Sequence, residues 1–185
     1  MALEIERRFL VRGSGWRDHI LWGQRLRQGY LQASADGVTV RVRLEDDEPM
    51  ETSAGQGSRA WLTLKAAVTR ITRAEFEYAI PADDARQLLA LTTDSLSKQR
   101  YGLDLPGGDW VLDVFEGENA PLVLAEVELE REDQPLTVPP WCLKEITGRG
   151  DLSNAALARC AWSHRPLAER QALLDGGLCN DGDID

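Results

Sequence analysis

The chain has 185 residues, 43% of them hydrophobic, and 31 acidic against 21 basic side chains give it a formal net charge of −10. That length and apolar content bury a core without staples, and no apolar run approaches the roughly 20 residues that carry a helix across a bilayer. The acidic balance excludes an extended nucleic-acid surface, which needs clustered Lys and Arg, but not a phosphate ligand, because the field inside a cleft depends on local charge.

Taken in chain order, most of the sequence alternates with the period of two that marks half-buried strands. In the first strand, over residues 3–11, Glu4, Glu6 and Arg8 share one face, while Leu3, Ile5, Phe9 and Val11 share the other. A short helix or turn is predicted from Trp16 to Trp22, then strands near 24–33 and 37–45. In the second of these, Thr39, Arg41 and Arg43 oppose Val38, Val40, Val42 and Leu44. The segment from Glu48 to Ser58, with Pro49, Gly55 and Gly57, reads as a loop. Strands near 59–68 and 70–80 follow, with Trp61, Thr63 and Lys65, then Arg73, Glu75 and Glu77, on their polar faces. Pro81 opens a helix whose first turn is acidic at Asp83 and Asp84 and whose apolar face holds Ala85, Leu88, Leu89 and Leu91. Strands near 95–103, 109–116 and 122–131 place Lys98 with Arg100 and Glu126 with Glu128. An irregular passage after Pro139-Pro140, a helix from Asn154 to Trp162, another from Pro166 to about Leu174 and an acidic tail complete the chain. The tryptophans are expected on the outer wall, except Trp61, which alternation puts on the charged face.

The polar faces are sorted by sign. Glu-x-Glu occurs three times, at Glu4/Glu6, Glu75/Glu77 and Glu126/Glu128, and basic pairs occur twice, at Arg41/Arg43 and Lys98/Arg100. Like charges two residues apart on one strand are mildly unfavourable unless opposite charges face them or a ligand neutralises them. A closed antiparallel barrel supplies that facing geometry, with acids and bases lining a wet interior. Such an interior suits a polyanion carrying a divalent metal, with bases on phosphate oxygens and paired carboxylates on the metal. Three cysteines, Cys142, Cys160 and Cys179, lack zinc-site spacing, and Glu4 and Glu6 sit where a signal segment is apolar. Together these predict reduced thiols and a cytoplasmic protein.

Glu4-Ile5-Glu6-Arg7-Arg8-Phe9-Leu10-Val11 resembles the Glu-x-Glu-x-Lys signature of the CYTH superfamily, the triphosphate tunnel metalloenzymes. The resemblance extends through Gln28-Gly29-Tyr30-Leu31, Val40-Arg41-Val42-Arg43, Leu62-Thr63-Leu64-Lys65 and Arg73-Ala74-Glu75-Phe76-Glu77-Tyr78. It continues through Ser97-Lys98-Gln99-Arg100-Tyr101, the strand around Asp113, and Leu124-Ala125-Glu126-Val127-Glu128-Leu129. It implies a mainly β, α+β fold: a closed antiparallel eight-stranded barrel with a few flanking helices, spanning 1–162, with a C-terminal helix and acidic tail over 163–185.

The resemblance further implies metal-dependent hydrolysis of a small triphosphate, either inorganic tripolyphosphate or an organic one such as thiamine triphosphate. The expected metal is Mg²⁺ or Mn²⁺, held by Glu4, Glu6, Asp113, Glu126 and Glu128. Arg41, Arg43, Lys65, Arg73, Lys98, Arg100 and Tyr30 are expected to bind phosphate, and Glu75 and Glu77 to support them. Arg8, Lys65, Glu126 and Glu128 are expected to take part in catalysis. No nucleic acid or membrane partner is expected, and the protein is expected to be a monomer or homodimer. A class IV-type adenylyl cyclase and a non-catalytic polyphosphate or nucleotide sensor are the alternatives. Two departures stand out. Arg8 replaces the signature lysine with a wider planar group. Asp151-Leu152 stand where the family usually carries Arg-Tyr, with Arg149 nearby as a cation that could stand in.

Overall fold

A computed structural model describes residues 2–33, 37–46, 58–68 and 72–175. Alternating apolar and polar residues produce strands β1 (Ala2–Val11), β2 (Ile20–Gln32), β3 (Val38–Asp46), β4 (Arg59–Ala67), β5 (Thr72–Ile80), β6 (Asp94–Leu103), β7 (Asp109–Phe115) and β8 (Val123–Glu128). Their order is β5-β4-β3-β2-β6-β7-β8-β1, with every pairing antiparallel. β1 then pairs back to β5, Glu4 opposite Arg73 and Ile5 opposite Thr72, which closes an eight-stranded barrel. A ninth strand, β9 (Cys142–Glu145), runs beside the last residues of β1. It falls inside the passage expected to be irregular, because four residues behind two prolines carry too little alternation to announce a strand.

Smaller differences have local causes. The turn expected from Trp16 to Trp22 is a 3-10 turn at Gly15–His19 only, and β2 begins at Ile20, paired with Leu103. The helix expected from Asn154 to Trp162 stops at Arg159, where extended Cys160 separates it from a 3-10 turn at Trp162–His164. This short helix, α2 (Asn154–Arg159), starts at Ser153, whose hydroxyl accepts from the Ala156 N–H at 3.2 Å and satisfies one open donor of its first turn. All but Ser58 of the expected 48–58 loop, and the acidic tail beyond Asp175, lie outside the described residues.

The apolar faces point outward from the barrel and are covered in sections. α1 (Ala82–Leu91) lies over Val42, Leu44 and Ala60. Its end approaches β2 closely at Gly29, where a Cβ would meet Leu89 and Thr92 side-chain atoms at 2.5–2.9 Å, so only glycine leaves room. Phe9, Trp16, Trp110, Leu112 and Val127 form a second outer cluster. The third cluster closes one barrel end. There Leu10, Leu96, Phe115 and Leu124 reach Leu152 and Leu157 around α2, together with Trp162 and Leu173 of α3 (Leu167–Asp175). The tryptophans are therefore not all on the outer wall. Trp162 belongs to this cap, while register puts Trp61 opposite Arg43 and Trp22 opposite Gly102, both in inward-facing rows. Trp22 lies over Gly102, a position where any side chain would collide with the indole. No helix among the described residues is long and apolar enough to cross a membrane.

Candidate active site

Cross-strand partners in an antiparallel ladder share a face, so the register by itself assembles the interior. Glu6 faces Glu128 and Arg8 faces Glu126 across β1–β8. Arg100 faces Asp113, Tyr30 faces Arg41, Arg41 faces Thr63, and Lys65 faces Glu75. These rows enclose a cavity of about 540 Å³ that is lined by Glu6, Arg8, Tyr30, Arg41, Arg43, Lys65, Glu75, Glu77, Arg100, Glu126 and Glu128. Lys98 and Asp113 do not reach that lining; they are 0% and 1% exposed. The side chains of Glu4 and Arg73 lie outside the described residues, although their backbones pair in the closing ladder.

The basic groups fall into two networks. In the first, Asp113 takes Lys98 Nζ at 2.6 Å on one oxygen, and Arg100 donates to both oxygens at 2.7 Å. Arg100 also donates to Glu126 at 2.9 Å, and Arg8 Nε donates to the other Glu126 oxygen at 3.0 Å. In the second, Arg41 and Thr63 share Glu77 with Arg43, while Lys65 pairs with Glu75 at 3.2 Å. The Nε–H groups of both Arg41 and Arg43 are buried with no hydrogen-bond partner among the described residues. Arg43 Nε lies 3.7 Å from Glu45 Oε1, and Arg41, Arg43 and Lys65 line the cavity as a cationic wall that an anion would meet.

Charge states follow from these contacts. Burial pushes the Glu126 carboxyl up, but Arg8 and Arg100, helped by Lys98 and Lys65, outweigh it and hold the group well below the usual carboxylate range. Asp113 is treated the same way, raised by burial and lowered further by Arg100 and Lys98. Burial pulls the Lys98 ammonium down to about 8 against Asp113, leaving it charged at neutral pH. Burial raises the Tyr30 phenol to about 12, so its hydroxyl keeps its proton. Folded-state values below the unfolded ones mean that Asp113 and Glu126 stabilise the fold fully above the ordinary carboxyl range of ~4, begin to lose that contribution below it, and have lost it once pH falls through their lowered folded-state values. A melting temperature that holds steady from pH 7 to 5 and drops steeply below pH ~4 is the expected result in thermal scans; a flat profile to pH ~3 would contradict the pairing.

Several lining groups gave no signal in the sequence. Ser153, Asn154 and Arg159 reach the cavity from α2 and its cap, where Arg159 donates to the Ala33 carbonyl at 3.1 Å. Arg149, the stand-in considered for the missing arginine, instead makes a two-pronged contact with Asp151 and is absent from the cavity wall. Glu45 is buried just past Arg43 on β3, held by Gln24 at 2.9 Å and Arg59 at 3.1 Å. Acids and bases in these positions look like any solvated strand face until the barrel is closed.

With the geometry in place, the comparisons with known proteins are decisive for the family. The profile of the CYTH domain matches residues 2–156. The chain belongs to the CYTH domain family. A protein of Acetivibrio thermocellus named inorganic triphosphatase is 34% identical over 161 residues, covering 86% of this chain and 95% of the relative. One of the same name from Nitrosomonas europaea is 36% identical over 158 residues, covering 84% and 96%. The crystal structure of an inorganic triphosphatase superposes with a TM-score of 0.58 at 36% identity, covering 85% of this CYTH chain and 95% of the other.

Proposed function

We propose that this chain is an inorganic triphosphatase that hydrolyses tripolyphosphate inside its barrel. The observation that carries the reading is a cavity whose lining brings Arg41, Arg43, Lys65 and Arg100 together with Glu6, Glu126 and Glu128. The two relatives named inorganic triphosphatase support it. In this reading Arg41, Arg43 and Lys65 grip phosphate oxygens, with Arg73 as a further base, and Glu75 and Glu77 hold those cations in place. Tyr30 donates a hydrogen bond from its hydroxyl to a phosphate oxygen.

Among the described residues no three Asp, Glu, His or Cys side chains form a metal cage. Mg²⁺ and Mn²⁺ fit nonetheless, because Glu6 and Glu128 stand directly opposite each other as an all-oxygen pair. Hard divalent cations commonly use one or two carboxylates and take their other ligands from phosphate and water. Glu6 and Glu128, with Glu4 in the same row, would hold the cation. Once bound, it would neutralise charge that builds on the phosphate oxygens. Asp113 is left out of this set because Lys98 and Arg100 already occupy both its oxygens; its part is to fix those two cations. Glu126 stays ionised between Arg8 and Arg100, so it holds position and charge rather than exchanging a proton. In this reading Glu128, which is exposed, would accept the proton of the attacking water on the carboxylate oxygen that does not hold the cation. The unpaired thiols of Cys142 and Cys160 agree with a cytoplasmic enzyme, taken as a monomer or homodimer.

The test is product release from tripolyphosphate, thiamine triphosphate and ATP with Mg²⁺, with Mn²⁺ and with EDTA. Orthophosphate released fastest from tripolyphosphate, and lost in EDTA, is the expected result. Pyrophosphate with cyclic AMP from ATP would make the protein a cyclase, and tight binding without turnover would make it a sensor.

A further inference from the structure

Arg8 was expected to act in catalysis, yet its contacts tie together two parts of the fold. Arg8 is 5% exposed, and its guanidinium spreads two donors in different directions. Nε reaches Glu126 on the barrel wall at 3.0 Å, and Nη2 reaches the main-chain carbonyl of Leu152 at 3.0 Å. Leu152 ends the Gly150–Leu152 turn and leads directly into Ser153, the cap of α2. A second tie runs in parallel, from Lys98 Nζ to Asn154 Oδ1 at 3.0 Å. Ser153, Asn154 and Arg159 in turn form part of the cavity lining. One part of the cavity wall is thus held by cations on β1 and β6.

We infer that Arg8 is a positioning residue: its forked guanidinium fastens the 150–154 turn to Glu126 and so sets α2 against the cavity. The fork is what this task requires. A lysine ammonium is a single point at the end of a flexible stem and lacks the rigid, divergent donors that meet a wall carboxylate and a cap carbonyl together. The arginine at this position and the cap it holds are therefore one device in this chain.

The experiment is amide hydrogen exchange on wild type and Arg8→Lys, without metal or substrate, so it does not depend on the triphosphatase reading. The amides of Leu152, Ala156 and Leu157, bonded to Arg149 O, Ser153 Oγ and Ser153 O, report the cap. In Arg8→Lys they are expected to exchange roughly 10- to 100-fold faster, the change in opening equilibrium for losing one charge-assisted hydrogen bond. Amides of β3 and β4 should keep wild-type rates. A second arm rests on the triphosphatase reading: KM for tripolyphosphate should rise by a larger factor than kcat falls. Cap protection left intact while kcat collapses would overturn the inference and put Arg8 on the reacting phosphate. Faster exchange throughout the barrel would overturn it too, as general destabilisation. Should Arg8→Lys fail to fold, Arg8→Gln gives the same reading with a single neutral donor.

Discussion

Asp113→Ala is expected to lower the free energy of unfolding by roughly 3–5 kcal/mol, the usual cost of removing one partner from a buried ion pair. The loss is large because of what remains behind. Lys98, fully buried, would keep only the Asn154 amide oxygen as a hydrogen-bond partner and lose the charge that holds its ammonium ionised, and Arg100 would keep Glu126 as its hydrogen-bonded acid. Asp113→Asn preserves shape but not charge, and should lose most of the same stability. Denaturant titration in EDTA reads this directly. A midpoint unchanged in EDTA, with a deficit appearing only when metal is added, would return Asp113 to the metal ligands. A deficit already present in EDTA identifies it as the acid that fixes Lys98 and Arg100.

Arg41→Met should reduce kcat/KM for tripolyphosphate by roughly 10²- to 10³-fold, the range for deleting one preorganised donor from a site where charge develops. It removes a charge from the cavity wall, while Arg43 and Thr63 still hold Glu77 and Lys65 still holds Glu75, so the carboxylates it leaves keep partners in the fold. Arg41→Lys restores the charge without the planar fork and should recover only part of the activity. Circular dichroism of both variants would establish that the barrel is intact. A decrease of under about threefold in Arg41→Met would remove Arg41 from the phosphate site.

The charged rows were legible because side-chain alternation along a strand is local. Arg41 and Arg43, Glu75 and Glu77, and Glu126 and Glu128 could each be put on one shared polar face from period two alone, and even Trp61, which fitted no expectation for an aromatic, went where alternation sent it. Asp113 shows the limit. In sequence it is one acid in an apolar strand, and nothing nearby says that Lys98 and Arg100, 15 and 13 residues back, will take both its oxygens. Arg159 was passed over because a cation at a helix end is ordinary, and only the cap's placement turns it toward the cavity. The four residues of β9 were too few to show a period.

From its sequence alone, this chain was committed to strands that sort acids from bases on one face and apolar residues on the other. Covalent geometry and burial impose that alternation residue by residue. Which acid meets which base was decided only when β1 closed against β5 and α2 settled over the barrel end. Those contacts join residues far apart in the chain, such as Glu4 with Arg73 and Arg8 with Leu152. They depend on register and packing, which no local pattern encodes, and through them similar strand faces became a phosphate-gripping wall, an acidic pair and a buried structural network.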